Sequence, residues 1–187
     1  MAKVVYAMNL SLDGFIKDAD GGFDWSVPRE DLHRLANEQV RGAAALLYGR
    51  RLYETMEAFW TTAEQQGGLS PVELEFARAY VATPRIVFSD TLERVGEGAR
   101  LVRSRDAVAE VRRLKAQPSS HLDVGGAGLA ASLADLIDEF WLWVHPVVVG
   151  GGTRYFPAFH DQFPLTLIET RTLSGGVVVL RYERADR

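Results

Sequence analysis

Three junctions along this chain, each closing an apolar strand, leave few folds open to it: Leu46-Leu47-Tyr48-Gly49-Arg50-Arg51, Val87-Phe88-Ser89 and Val124-Gly125-Gly126-Ala127-Gly128-Leu129. In the first and third the strand stops at a glycine and a helix follows. Such a junction points free backbone N–H groups and the positive end of a helix dipole at one spot, which suits a phosphate. Strands that alternate with helices build a mainly parallel sheet. Near the end of the chain, 163–173 and 177–182 flank Ser174-Gly175-Gly176 and read as a hairpin. The expected fold is therefore α/β: a mostly parallel central sheet flanked by helices, with an antiparallel C-terminal hairpin.

The spacing of apolar residues and turn signals predicts strands over 4–9, 43–48, 85–88 and 121–124, and a long strand within 137–149. Residues 10–24 read as a long polar loop and 59–69 as a second one. Helices are expected after Pro28, carrying Leu32, Leu35, Ala36 and Val40; from Gly49 through Met56; and over 129–136. Ser70-Pro71-Val72-Glu73 combines a Ser cap, Pro in the first turn and Glu three residues on, so a helix runs from there to about Val81. Ser104 is expected to cap another, which holds Val108, Val111 and Leu114.

At 187 residues and 47% hydrophobic the chain fits one domain over 1–187, which buries roughly 70% of its unfolded surface. The net charge of -4 argues against nucleic acid or a polybasic membrane surface as partner. The start, Met1-Ala2-Lys3-Val4-Val5-Tyr6, runs straight into a strand and lacks the core of a signal peptide. No apolar run approaches the ~20 residues of a membrane span. There is no cysteine, so disulfides, thiolate catalysis and cysteine-held zinc are excluded, and a cytoplasmic protein is expected. His33, His121, His145 and His160 show no metal-ligand spacing and read as structural or surface residues, so no metal is expected.

Two segments carry most of the chemistry. Arg50 and Arg51, directly after Gly49, offer permanently charged bidentate donors to a phosphate such as a ribose 2′-phosphate; equally, they are two solvated arginines at a helix start. Gly125, Gly126 and Gly128, with Ala127 and Leu129, allow a pyrophosphate to approach the backbone, or form a plain tight turn. Ser89, at a strand end, either donates to the same phosphate or caps a turn with Asp90 and Thr91. Glu30 and Asp31 lie in the first turn of a helix. There a carboxylate either binds a substrate edge and relays a proton or simply complements the helix dipole.

In order along the chain, Ser11-Leu12-Asp13-Gly14-Phe15-Ile16, Tyr48-Gly49-Arg50-Arg51-Leu52-Tyr53-Glu54, Val87-Phe88-Ser89-Asp90-Thr91-Leu92, Val124-Gly125-Gly126-Ala127-Gly128-Leu129 and Pro146-Val147-Val148-Val149-Gly150-Gly151-Gly152 resemble the dihydrofolate reductase superfamily. The nearest likeness is to single-domain relatives of the reductase domain of riboflavin biosynthesis. The resemblance implies NADPH lying across the C-terminal ends of the strands. Gly49, Arg50 and Arg51 would hold the 2′-phosphate side, with Ser89 near that half, and 125–129 would receive the pyrophosphate. Ala7, Ser11 and Ile16 would border the nicotinamide. Trp25 and Glu30, with Asp31 as the one-residue alternative, match the helix entry where folate reductases hold their substrate, and Thr153 matches the threonine that supports that carboxylate.

The implied activity is NADPH-dependent reduction of a small pyrimidine or pterin-like molecule. The first candidate is 5-amino-6-(5-phosphoribosylamino)uracil and the second is dihydrofolate. No set of residues for the ribose phosphate and no arginine for a glutamate tail stands out. A rival from another class is a non-catalytic nucleotide-binding or regulatory protein on the same fold. A homodimer is expected, on the apolar run Phe140-Trp141-Leu142-Trp143-Val144 with the C-terminal hairpin.

Overall fold

The computed structural model describes residues 1–157 and 162–185; His160 lies outside them. Ten strands and six α-helices follow one another as β1 (Lys3–Ser11), β2 (Phe15–Lys17), α1 (Glu30–Gly42), β3 (Ala43–Gly49), α2 (Arg50–Trp60), α3 (Ala63–Gln66), α4 (Pro71–Ala82), β4 (Arg85–Phe88), β5 (Ala99–Val102), α5 (Ala107–Lys115), β6 (His121–Gly125), α6 (Ala127–Ser132), β7 (Glu139–His145), β8 (Thr153–Arg154), β9 (Leu165–Thr172) and β10 (Val178–Arg184), among the described residues. The main sheet has the order β5-β4-β3-β6-β1-β7-β10-β9. Every pairing from β5 to β7 is parallel, and β10 runs antiparallel between β7 and β9. This is the mostly parallel sheet with an antiparallel C-terminal hairpin that the strand–helix alternation and terminal glycines predict.

Alternation along the central strands splits the core. Ala45 and Leu47 face one side with Val4, Tyr6 and Val124, where Val111 of α5 and Ala130 of α6 cover them. Leu46 and Tyr48 face the other, against Val40 of α1, Tyr53 of α2 and Phe76 and Tyr80 of α4. The start of α4 is as predicted: Glu73 reaches back to accept from the Ser70 backbone N–H at 2.8 Å. Arg85, 2% exposed, is the one lysine or arginine buried among the described residues. Its guanidinium donates to the carbonyls of Tyr80 at 2.9 Å, Val81 at 3.1 Å, Thr83 at 3.2 Å and Glu97, with Glu57 3.3 Å from Nε.

Several boundaries differ from the sequence expectation. The second helix continues to Trp60 and is followed by α3, where a loop was expected. The edge strand β5 carries no alternation of polar and apolar residues to betray it, and β8 is two residues long. β7 ends at His145 because Pro146 has no N–H for the ladder. The run 140–144 is mostly not spare apolar surface, since Phe140, Leu142 and Trp143 are buried and Trp141 and Val144 half-buried. The exposed apolar residues nearby include Phe156, against Phe140, and Leu167 and Ile168 on the edge strand β9. The first loop is likewise more ordered than a polar loop. It contains β2, which pairs with β8. Asp13 ties it to the 150–152 turn, accepting from the N–H groups of Val149 at 3.2 Å and Gly150 at 2.8 Å. Gly152 makes that contact possible: its φ is +126°, and a Cβ there would sit 2.0 Å from the Lys17 carbonyl oxygen.

Candidate active site

Two cavities open beside the C-terminal ends of β1, β3 and β6, and they share Met8, Leu52 and Gly125 as common wall. The first, about 420 Å³, lies over the two glycine junctions. Gly49, Arg50, Arg51, Gly125, Gly126, Ala127, Gly128 and Leu129, predicted from separate stretches of sequence, all line it, and so do Ile16 and Thr153. Lys17 adds a third cation, and no acidic residue joins it among the described lining. The space is suited to close approach. An ideal Cβ on Gly128 would meet nothing within 4 Å, and one on Gly49 would meet Leu129 only at 4.0 Å. Arg50 leans on Glu54 at 3.4 Å and is half exposed. A glycine-rich wall, room at the backbone and three cations together fit the phosphates of a dinucleotide.

The second cavity, about 340 Å³, lies between the sheet and α1, α2 and α4. That is within the usual range for a small-molecule site, roughly 300–1,000 Å³. Leu32, Val40, Met56, Trp60, Phe76 and Trp143 make its walls apolar, and Ala7 lies beside Met8 at the shared end. Its floor carries Asp123, 8% exposed, whose Oδ2 accepts from Gln39 Nε2 at 2.8 Å. Burial pushes the Asp123 carboxyl up to about 7, against the opposing pull of the Gln39 hydrogen bond. Farther along β1, Asn9, also lining the cavity, holds His145 Nε2 at 2.8 Å, and burial lowers the His145 pKa.

Other predicted site residues lie elsewhere. Glu30 is on the outer surface of α1, paired with Arg34 at 2.5 Å. Asp31 anchors the β9–β10 turn. It accepts from the Ser174 N–H at 2.6 Å and the Ser174 hydroxyl at 2.7 Å, bonds that hold its carboxyl below the usual range. Neither lines either cavity, because the helix begins at Glu30 and its first turn points both carboxylates away from the sheet. Trp25 sits edge-on to His145, with ring centroids 5.9 Å apart, behind the cavity wall. The Ser11 hydroxyl accepts from the Phe15 N–H at 3.0 Å, inside the loop. Ser89 takes the turn-capping alternative: its Oγ accepts from Thr91 N–H at 3.2 Å and Leu92 N–H at 3.1 Å, and Phe88 and Ser104 line the cavity in its place. Asp123 escaped notice in the sequence, although a lone carboxylate inside the apolar strand His121–Gly125 is the signal that marks it. Among the described residues no cluster of His, Asp or Glu could hold a metal, and no helix is long and apolar enough to cross a membrane.

Comparison with known proteins matches the family model described as the RibD C-terminal domain to residues 2–179. Among curated proteins, an uncharacterized protein of Bacillus subtilis (strain 168), YyaP, is 28% identical over 183 residues, covering 96% of this chain and 94% of its own length. Among solved structures, a candidate riboflavin biosynthesis protein from Shewanella sp. PV-4 superposes with a TM-score of 0.70 at 23% identity, covering 98% of this chain and 99% of that one. Dihydrofolate reductase from Enterococcus faecalis, complexed with NADP(H), gives a TM-score of 0.64 at 15% identity, covering 98% of this chain and 97% of that one.

Proposed function

Because the chain belongs to the RibD C-terminal domain family, we propose that it is an NADPH-dependent reductase of a small ring compound. One observation carries the reading. A basic, glycine-lined cavity and an apolar cavity with a buried carboxyl meet at Met8, Leu52 and Gly125. Arg50 and Arg51 hold the 2′-phosphate, and the backbone from Gly126 to Gly128 takes the pyrophosphate. Bound NADPH supplies a hydride. Met8 and Gly125 set where the two ligands touch, Leu52 closes the gap between them, and the apolar walls keep water from the meeting point. Asp123 orients the substrate and holds a proton near neutrality, a part for which Glu30 and Asp31 are too distant.

The family likeness brings two substrates, 5-amino-6-(5-phosphoribosylamino)uracil and dihydrofolate. Both are anionic, and in this reading the anion of either must stay outside the apolar cavity. Titrating NADPH and NADH by calorimetry, then following NADPH oxidation with a panel of ring substrates, tests the proposal. NADPH binding with turnover of any member supports it. Equal affinity for NADPH and NADH would remove the phosphate site, and NADPH binding without turnover of the whole panel would favour the regulatory alternative. A homodimer remains part of the proposal, with Leu167 and Ile168 on the edge strand as the contact. Light scattering that gives a monomer at micromolar concentration would refute it.

A further inference from the structure

The apolar cavity has no lysine or arginine on its wall among the described residues, whereas its neighbour has three cations. The acidic residues that line it are Asp24, on an exposed turn, and Asp123 on the floor. Gln39 is the one hydrogen-bond partner of the Asp123 carboxyl among the described residues, so Oδ1 keeps its capacity unspent. The pair is under-satisfied on the other side too, since Gln39 is 7% exposed and its Oε1 has no partner. A buried polar atom left in this state is destabilising until something polar meets it. An anion placed here would lose its hydration against Leu, Met, Trp and Phe side chains and face two carboxyl groups, with no lysine or arginine on the described wall and His33, its one imidazole, facing the adjoining cavity of Arg34 and Arg78.

Taking this cavity as the substrate's, which rests on the reductase reading, we propose that the substrate is an uncharged, non-phosphorylated planar ring, apolar over most of its surface, with one amide or carbonyl edge against the Asp123 carboxyl. Trp60, Phe76 and Trp143 supply flat apolar area for the ring, and Asp123 supplies the main polar fix on its orientation, beside the unpartnered Gln39 Oε1 and Trp143 Nε1. Burial raises the Asp123 pKa to about 7, so the carboxyl donates to a carbonyl oxygen or accepts from an N–H, and an amide edge offers both.

The test is a binding panel on the full-length protein, with and without NADPH. It pairs quinolin-2-one and isoquinolin-1-one with their ring carboxylates, and adds phenyl phosphate as the phosphate probe. Calorimetry gives the affinities, and tryptophan fluorescence reports occupancy beside Trp60 and Trp143. At least one lactam should bind about tenfold or more tightly than its carboxylate. Asp123→Leu should weaken that lactam by about tenfold with NADPH affinity unchanged, while Asp123→Asn, which keeps one donor and one acceptor, stays close to wild type. The proposal is overturned if a carboxylate or phenyl phosphate binds as well as the lactams, if no lactam binds at millimolar concentration, or if Asp123→Leu changes nothing. Loss of NADPH binding with lactam binding intact would instead sink the reductase reading alone.

Discussion

Gly125 and Gly126 adjoin each other where the two cavities meet, and each excludes a side chain for its own reason. A Cβ on Gly125 would lie 2.5 Å from Leu52 Cδ2 and 2.8 Å from Tyr48 Cε1, while a Cβ on Gly126 would meet nothing nearer than Leu52 at 3.9 Å. Gly126 has instead a φ of +93°, which side-chain-bearing residues rarely adopt. Gly125→Ala therefore overpacks and should destabilise by about 1–3 kcal/mol. Gly126→Ala forces a strained backbone and should cost a similar amount, also about 1–3 kcal/mol. Removing Leu52 separates the two causes. With Gly125→Ala, Leu52→Ala relieves one of the two clashes, and the double-mutant cycle should return a favourable coupling of about 1 kcal/mol; the Tyr48 ring keeps the rest of the penalty. With Gly126→Ala the costs should add to within about 0.5 kcal/mol, because shortening Leu52 leaves φ unchanged. Urea unfolding followed by circular dichroism, with the m-value held constant across the set, measures all of these terms. Additive costs at Gly125, or equal coupling at both glycines, would refute this division of roles.

Three further outcomes are expected. Arg50→Ala should lose about 1.5–3 kcal/mol of NADPH affinity and leave NADH affinity unchanged, as read by calorimetry; equal losses for both cofactors would place the arginine away from the 2′-phosphate. Arg85→Met should cost about 3–5 kcal/mol in chemical denaturation, since it strands Glu57 and the carbonyls that the guanidinium satisfies; a loss under about 1 kcal/mol would show that those groups find other partners. Asp123 has a folded pKa of about 7 against 3.8 as its ordinary value, so the stability it contributes is present below pH 3.8 and is lost as pH rises through 7. Asp123→Asn should therefore flatten the decline of melting temperature between those values, and an unchanged pH profile would show the carboxyl to be ionised in the native state.

Much of the basic cavity was legible in the sequence because its residues are contiguous. A strand end, a glycine and the first helical turn supply Gly49, Arg50 and Arg51 from one stretch and Gly125 to Leu129 from another, and parallel pairing of β3 with β6 brings them together. The start of α4 was legible for the same reason, its cap and its Glu being three residues apart. The apolar cavity was not, because its polar floor comes from Gln39 on a helix and Asp123 on a strand, 84 positions away. Spacing within one segment carries no trace of such a pair. Glu30 and Asp31 were singled out by position in a helix, but position does not say which way a first turn faces. Their actual partners, Arg34 and Ser174, decide it. The hairpin was plain from its glycines, whereas β5 stayed hidden, since an edge strand half open to solvent needs no apolar run.

The place of β1 within the sheet bears on how this protein is made. Its neighbours are β6 and β7, and its pairing begins at Lys3 with His121 and at Val5 with Glu139. β1 thus has no partner strand when it leaves the ribosome and gains one only after β6 (His121–Gly125) has followed. At about 5–20 residues per second, that leaves Val4, Val5, Tyr6, Ala7 and Leu10 uncovered for several seconds of synthesis. Pairing so distant along the chain also closes large loops, which slows folding. Nascent chains of this protein should therefore depend on holding factors until β6 emerges, and a circular permutant that begins at β6 should place β1 beside its neighbours far sooner.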